Sequence, residues 1–257
     1  MKEVLELIEQ KKQEFAKLPF FEYLGDESID PRQRLVWVPY ISPLVMTFGE
    51  LNKYILRKEL INLDIELPNN KVQSLINQHT YEDDHHWIWF LEDLEKMGFN
   101  PFVRFTDVLK FLWSKETQAA RYVAYELVIS AFNKDPMLKL AALESVEATG
   151  NVGFSIFAKV GQELQEITHQ KYRYFSKSHL DVEMGHIYGE KNNVEQFLYL
   201  QTILLTPDQR TQAFELVEKI FDSFTELLNQ MMIYVSHKSI DQPFINQSFY
   251  QNQLAIK

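Results

Sequence analysis

The stretch that decides the fold spans residues 69–97 and reads NNKVQSLINQHTYEDDHHWIWFLEDLEKM. Pro68 stands before it, where proline favours the start of a helix, and Gly98 and Pro101 follow it as residues that end helices. The stretch therefore predicts one long helix from about Asn69 to Met97. Apolar residues at three- and four-residue spacing recur along almost the whole chain, whereas strand-like alternation is hard to find. The fold class is therefore expected to be all-α.

The same spacing predicts further helices on both sides of this stretch. A first helix should run from Lys2 to Ala16 and end before Pro19, and residues 31–63 should form one or two buried helices. The remaining helices are predicted at about Phe105–Ala131, Pro136–Thr149, Gly153–Thr168, Ser176–Tyr188, Val194–Leu205 and Pro207–Tyr234. The tail beyond Ser236 is expected to be loop. Because no low-complexity linker divides the chain, residues 1–257 are expected to form a single domain.

Composition excludes several classes of function. The 26 basic residues are scattered among 36 acidic ones, so no basic patch is expected to bind nucleic acid. Cysteine is absent, which leaves His, Asp and Glu as the side chains that can hold a metal. The longest uncharged run, residues 35–49, is shorter than the ~18 residues of a membrane span, and no signal-peptide pattern is found. The protein is therefore expected to be cytoplasmic and without a membrane partner.

Two stretches of the sequence repeat one spacing, in which a histidine is followed by an acidic residue and then by a second histidine. They are His79-x3-Asp83-x2-His86 and His179-x3-Glu183-x2-His186. Positions i, i+4 and i+7 of an α-helix lie within about 60° of one another, so each stretch directs two imidazoles and a carboxylate from one face. Imidazole nitrogen and carboxylate oxygen together suit iron or manganese. A metal site between two helices is therefore predicted.

Several neighbouring residues are alternatives or are excluded by helix geometry. His85 and Asp181 lie on other faces of their helices, whereas Glu82 lies about 60° from His79 and remains an alternative to Asp83. Di-metal helical sites use further glutamates from other helices. Glu144 and Glu147 are the candidates here, and both can face inward.

An ordinary structural explanation stands beside the metal site. A lone histidine on an amphipathic helix is usually a surface or core residue, and glutamates often occupy solvated helix faces. The repetition of a three-residue spacing favours the metal site over this explanation. The nearby aromatic residues Trp87, Trp89 and Phe90 are predicted to pack the core, and the alternative is that some of them line an apolar substrate pocket.

At these residues the sequence resembles the haem-oxygenase-like di-metal oxidase and oxygenase superfamily, whose relatives include pyrroloquinoline quinone synthase C and the thiaminase-II proteins. The resemblance covers roughly residues 69–189. It implies that the iron ligands are His86, Glu147, His179, Glu183 and His186, and it favours Glu147 over Glu144. Several members have a glutamate where this sequence has His79, so Asp83 would bridge or complete a second site and His79 would be an additional ligand.

The resemblance also implies a fold and an activity. The fold would be a bundle of seven or eight helices, and bundles of this kind are often homodimers. The activity would be oxidation of a small organic substrate with dioxygen, at one or two iron ions or at manganese. Substrate and dioxygen would then be the partners of the protein.

Two other functions are compatible with the sequence. A metal-free enzyme similar to pyrroloquinoline quinone synthase C would use the histidines as acid–base groups. A metal-binding or ligand-binding helical protein without catalysis would keep the same residues. A thiaminase activity is disfavoured, because the chain has no cysteine to act as the nucleophile.

Overall fold

The computed structural model describes residues 1–61, 63–186 and 194–240, without the side chains of residues 183–186, 194 and 196. All regular secondary structure in these residues is helical, which confirms the predicted all-α class. The helices are α1 (Lys2–Phe15), α2 (Pro19–Gly25), α3 (Pro31–Arg34), α4 (Ser42–Glu50), α5 (Pro68–Glu82), α6 (His86–Lys96), α7 (Phe105–Leu112), α8 (Gln118–Ala131), α9 (Pro136–Thr168), α10 (Lys177–His186), α11 (Val194–Thr202) and α12 (Pro207–His237). Two 3₁₀ segments, Val38–Ile41 and Asp83–His85, and a π-helical turn, Leu51–Leu56, lie between them.

The longest helix, α9, lies at the centre of the fold and packs against α1, α5, α10 and α12. It begins where the side chain of Asp135 accepts hydrogen bonds from the backbone N–H groups of Met137 (2.9 Å) and Leu138 (3.3 Å). All nine residues of the run 137–145 are buried, so neighbouring elements cover this part of α9 on every side. Any polar side chain in this part of the helix is therefore held inside the core.

The sequence predicts two helices where α9 forms one, and this prediction is wrong. Gly150 and Gly153 indicate a break, since a glycine inside a helix costs about 1 kcal/mol relative to alanine. Packing of α9 on its neighbours offsets that cost. At Gly153 the space of a side chain is filled by the ring of Phe157, which would lie 3.1 Å from an added Cβ.

The long helix predicted over residues 69–97 is also wrong in one respect, because the 3₁₀ segment at 83–85 divides it into α5 and α6. Arg57 explains the break. Its guanidinium donates to the backbone carbonyl of Thr80 and to the carboxylate of Asp84. In a continuous α-helix that carbonyl would accept from the N–H group of residue 84, so Arg57 takes the place of the helical hydrogen bond.

Two further predictions of helix continuity are wrong for similar reasons. The predicted helix Phe105–Ala131 is divided into α7 and α8, because Arg121 and Thr117 donate to the last carbonyls of α7, including that of Phe111 (2.9 Å from the Thr117 hydroxyl). Residues 31–63 form more and shorter segments than predicted. Prolines at 31, 39 and 43 lie in the first turns of these segments, where they need donate no hydrogen bond. The predicted loop after Ser236 lies, beyond residue 240, outside the described residues.

The segment between α9 and α10 is held by two contacts that also position His179. The carboxylate of Asp93 in α6 is fully buried and accepts hydrogen bonds from the backbone N–H groups of Arg173 (2.9 Å) and Phe175 (3.0 Å). Gly161 of α9 lies directly against the backbone of Phe175, and an added Cβ would overlap that carbonyl oxygen. Both contacts fix the start of α10.

We expect Gly161→Ala to lower the free energy of unfolding by about 1–3 kcal/mol, because the new methyl group has to displace the backbone of Phe175. Chemical denaturation measures this. Gly25→Ala is the matched control, since its added Cβ would meet the Ile156 side chain at 3.5 Å, an ordinary contact. Equal stability of Gly161→Ala and the wild type would contradict the close approach.

Candidate metal centre

Three side chains from α5, the following 3₁₀ segment and α9 meet in the core: His79, Asp83 and Glu147. The Nε2 atom of His79 lies 3.1 Å from Oδ2 of Asp83 and 3.1 Å from Oε1 of Glu147. One potential ligand atom from each residue lies within 4.8 Å of the other two. Among the described residues, these three form the one group of histidines and acidic residues with the spacing of a metal site.

The periodicity of α5 places His79 in this position. Val72, Ile76 and His79 are all buried, at spacings of four and three residues, and this face packs on α9. Asp83 follows His79 by four residues and stays on the same side, although the regular helix ends at Glu82. Glu147 approaches from α9, two residues beyond the buried run 137–145, and is 9% exposed.

The charges around His79 favour its protonated form when no metal is present. Burial alone would lower the pKa of His79, but the carboxylates of Glu147 and Asp83 outweigh it and hold that pKa well above its usual range. A metal ion placed between the same atoms would replace the proton as the positive charge, since metal binds the neutral imidazole.

His86 and His179 continue the cluster from α6 and α10. Nδ1 of His86 lies 3.7 Å from Oδ1 of Asp83 and 3.3 Å from Nε2 of His179. Nδ1 of His179 lies 2.8 Å from the backbone carbonyl of Tyr174. A carbonyl only accepts, so this nitrogen donates its proton to Tyr174, and Nε2 is the ring nitrogen that faces His86. Metal-binding histidines are typically oriented by such a bond from the other ring nitrogen.

The structure thus brings together five of the predicted ligands in one continuous series: Glu147, His79, Asp83, His86 and His179. The side chains of the other two, Glu183 and His186, lie outside the described residues, and only their backbone positions in α10 are described. The alternative ligand Glu82 is exposed and accepts from the Gln78 amide at 3.5 Å.

Glu144, the other alternative, is buried one helical turn before Glu147 and is 6% exposed. It is not in the three-residue group. Its Oε1 atom accepts no hydrogen bond from the described residues. Burial raises the pKa of Glu144 to about 8, with His79 opposing the rise and the charge of Glu147 adding to it. The apoprotein therefore keeps an uncharged carboxyl group here near neutral pH.

We expect Glu144→Gln to stabilise the apoprotein increasingly as pH rises from 5 to 8. Between the ordinary pKa of 4.5 and about 8, the folded protein retains a proton that the unfolded chain has released, so Glu144 makes the folded state less stable at higher pH. The gain in unfolding free energy over wild type should grow by about 1 kcal/mol per pH unit. Denaturation at several pH values measures it, with the exposed Glu82→Gln as control. A gain that stays constant over this range would contradict the burial of Glu144.

An apolar cavity of about 150 Å³ lies beside the cluster. Asp83, His86 and Glu147 form its polar side, and the rest of its wall is mainly apolar, with aromatic rings that include those of Trp37 and Phe154. The cavity can hold a small apolar group within reach of the candidate ligands.

The three aromatic residues after His86 have different positions. Trp87 lines the apolar cavity, as the pocket interpretation predicts. Phe90 is buried against Tyr174, with ring centroids 5.3 Å apart, as the core interpretation predicts. The Trp89 ring packs on the imidazole of His86, with centroids 4.6 Å apart.

Sequence reasoning missed two residues that support the cluster. Asp93 anchors the segment before α10, and the Phe154 ring packs on the imidazole of His179, with centroids 4.4 Å apart. A signal existed for Asp93, which follows the apolar Phe90 by three residues and so falls on the same helix face. Phe154 lies just after the break that the sequence predicts in α9, so the sequence does not place it on the same helix as Glu147.

No protein-family model matches the sequence, and no curated protein matches it. Within the described residues, none of the helices combines the length and the apolar character needed to cross a membrane. Function therefore has to be inferred from the geometry and chemistry of the site.

Proposed function

We propose that this protein is a non-haem iron enzyme with a haem-oxygenase-like helical bundle, and that it uses dioxygen to oxidise a small organic substrate. One observation carries the proposal. The series of imidazoles and carboxylates from Glu147 to His179 lies at the wall of an apolar cavity, at Asp83, His86 and Glu147.

The ligand atoms support iron as the metal. Hard carboxylate oxygen combined with imidazole nitrogen, and without thiolate, suits Fe(II) or Mn(II) with open coordination positions. Bound iron would supply the one-electron and oxygen chemistry that side chains cannot perform. Asp83 would hold the metal with either carboxylate oxygen, because its Oδ2 lies 3.1 Å from His79 and its Oδ1 lies 3.7 Å from His86. A second ion would draw also on Glu183 and His186.

The chain itself orients the ligands and surrounds the substrate. Tyr174 fixes the rotation of the His179 ring through its carbonyl group, so that the ring does not have to be reoriented when metal binds. The aromatic wall of the apolar cavity would hold an apolar part of the substrate and exclude water from the ligands.

A metal-free acid–base enzyme is the second candidate, and one observation favours it. Nε2 of His79 lies 3.1 Å from one oxygen of each of two carboxylates, which is close enough for ion pairs when the imidazole is protonated. Such an enzyme would act without added metal and would not retain Fe(II).

The experiment that tests the proposed function is exposure of the Fe(II)-loaded protein to air. We expect dioxygen uptake and conversion of protein-bound Fe(II) to Fe(III) faster than in a solution of Fe(II) mixed with the His79→Ala protein. Absorption spectroscopy and an oxygen electrode follow both changes. Loaded protein that keeps its iron as Fe(II) in air would indicate a carrier and contradict the oxidase.

A further inference from the structure

A second cavity, of about 570 Å³, lies between α1, α9 and α11 and has a different chemical character. Its outer part is formed by the polar side of α1, including the exposed Glu6, Glu9 and Gln13, together with Lys2 and Lys12. Nζ of Lys2 lies 3.7 Å from Oε1 of Glu6. Its inner end is formed by α9 at Glu144 and Glu147. The cavity therefore connects exposed charged side chains of both signs to the carboxylates of the core, and we refer to it as the polar cavity.

Glu147 belongs to both the polar cavity and the apolar cavity. These two cavities therefore approach the candidate metal centre from sides that differ in polarity. A hydrated divalent cation is strongly disfavoured in an apolar space, because burying an unpaired charge is costly. The polar cavity offers carboxylate oxygens, the ligands that replace water around such an ion.

Glu144 provides an observation independent of the side chains at the mouth. Its side chain lines the polar cavity, and Oε1 accepts no hydrogen bond from the described residues. Buried polar atoms without a partner are uncommon and call for an explanation such as an ion or a water molecule. Its position three residues before Glu147 places both carboxylates on neighbouring points of one helix face.

We propose that the polar cavity is the route by which a hydrated divalent first-row cation reaches the metal centre, and that Glu144 is the relay carboxylate that passes the ion to Glu147. The proposal rests on the proposed function only in requiring that the centre binds metal. Glu6 and Glu9 offer carboxylate oxygens at the mouth. Glu144 gives up its proton as the ion arrives, and its carboxylate replaces part of the ion's water shell before the ion reaches Glu147. Substrate and dioxygen use the apolar cavity instead.

The rate of Fe(II) uptake tests this route. Apoprotein is mixed anaerobically with Fe(II), a strong chelator is added after set times, and the iron retained by the protein is measured. We expect Glu144→Gln to slow uptake about tenfold while the final stoichiometry stays that of wild type. Glu144→Gln keeps the size of the side chain and replaces a carboxyl group that is uncharged in the apoprotein, so it is expected to fold.

The mouth is tested with the double variant Glu6→Lys, Glu9→Lys. We expect its uptake to be several-fold slower at low ionic strength, with the difference shrinking as salt screens the charges. The double variant Glu22→Lys, Glu27→Lys is the matched control, because it changes the net charge equally at exposed positions outside the polar cavity. The control should take up Fe(II) more rapidly than the mouth variant.

The outcomes separate the route from the proposed function. Normal binding by wild type with unchanged rates in Glu144→Gln and in the mouth variant would overturn the route alone. A lower final stoichiometry in Glu144→Gln would overturn the relay, because it would make Glu144 a permanent ligand. No uptake by wild type would overturn both the route and the metal centre.

Discussion

The His79→Ala variant is expected to lose tight Fe(II) binding. His79 is the residue whose Nε2 atom lies 3.1 Å from both Asp83 and Glu147, so its removal takes a ligand from the centre of the group. Anaerobic titration followed by removal of free iron measures the loss. His85→Ala is the matched control, because His85 lies six residues away and is exposed. We expect the control to bind Fe(II) as wild type does.

The same substitution should also destabilise the apoprotein. Without the imidazole, the carboxylates of Asp83 and Glu147 remain in the core without the cation that separates them, and breaking a buried ion pair in this way costs about 3–5 kcal/mol. Circular dichroism shows whether His79→Ala folds. If it does not, Asp83→Asn tests the same ligand group with a side chain of equal size, and we expect it too to weaken Fe(II) binding. Wild-type iron binding by either variant would contradict the ligand assignment.

The His179→Ala variant is expected to bind Fe(II) at least about 100-fold more weakly than wild type. Loss of a group that orients a ligand lowers metal affinity by up to about 100-fold, and loss of the ligand itself should cost at least as much. His179 is 1% exposed, and its Nε2 atom lies 3.3 Å from Nδ1 of His86. The truncated side chain also leaves a cavity among Phe154, Tyr174 and His86, so we expect a loss of about 2–4 kcal/mol in unfolding free energy.

His179→Gln separates these two effects, because it fills more of the space than alanine and lacks the imidazole. We expect it to be more stable than His179→Ala and as defective in iron binding. His237→Ala serves as the control, since His237 is exposed at the end of α12. If His179→Gln and His237→Ala bound iron equally well, His179 would not be a ligand.

Local chemistry in the sequence predicts where helices begin better than where they continue. Pro68, Pro136 and Pro207 each open a predicted helix, because a residue in the first turn needs no hydrogen-bond donor. The continuity of α9 through Gly150 depends instead on burial by distant segments, which spacing along the chain does not contain.

The break after α5 has the same kind of cause. It depends on Arg57, which lies 23 residues before Thr80 in the sequence and donates to the Thr80 carbonyl and hydroxyl groups. Helix-ending residues at Gly98 and Pro101 correctly mark the end of the region, but they carry no information about a tertiary hydrogen bond. The 3₁₀ segment that results places Asp83 between His79 and His86.

The candidate site is predictable in its members more than in its arrangement. The spacing of His79 and Asp83 places them together, and the family resemblance selects Glu147, which is found 3.1 Å from His79. The special position of His79 between two carboxylates is not predictable, because it depends on how α5 packs on α9. The burial of Glu144 depends on the same packing.

The most direct test of the metal centre is the Fe(II) stoichiometry of the wild-type protein. Apoprotein is loaded anaerobically with excess Fe(II), free metal is removed by gel filtration, and iron and protein are measured in the same fractions. We expect between about one and two Fe(II) per chain, because helical sites built from imidazole and carboxylate ligands hold one or two iron ions. If the wild-type protein retained no more iron than the background expected for His79→Ala, the metal centre would be contradicted.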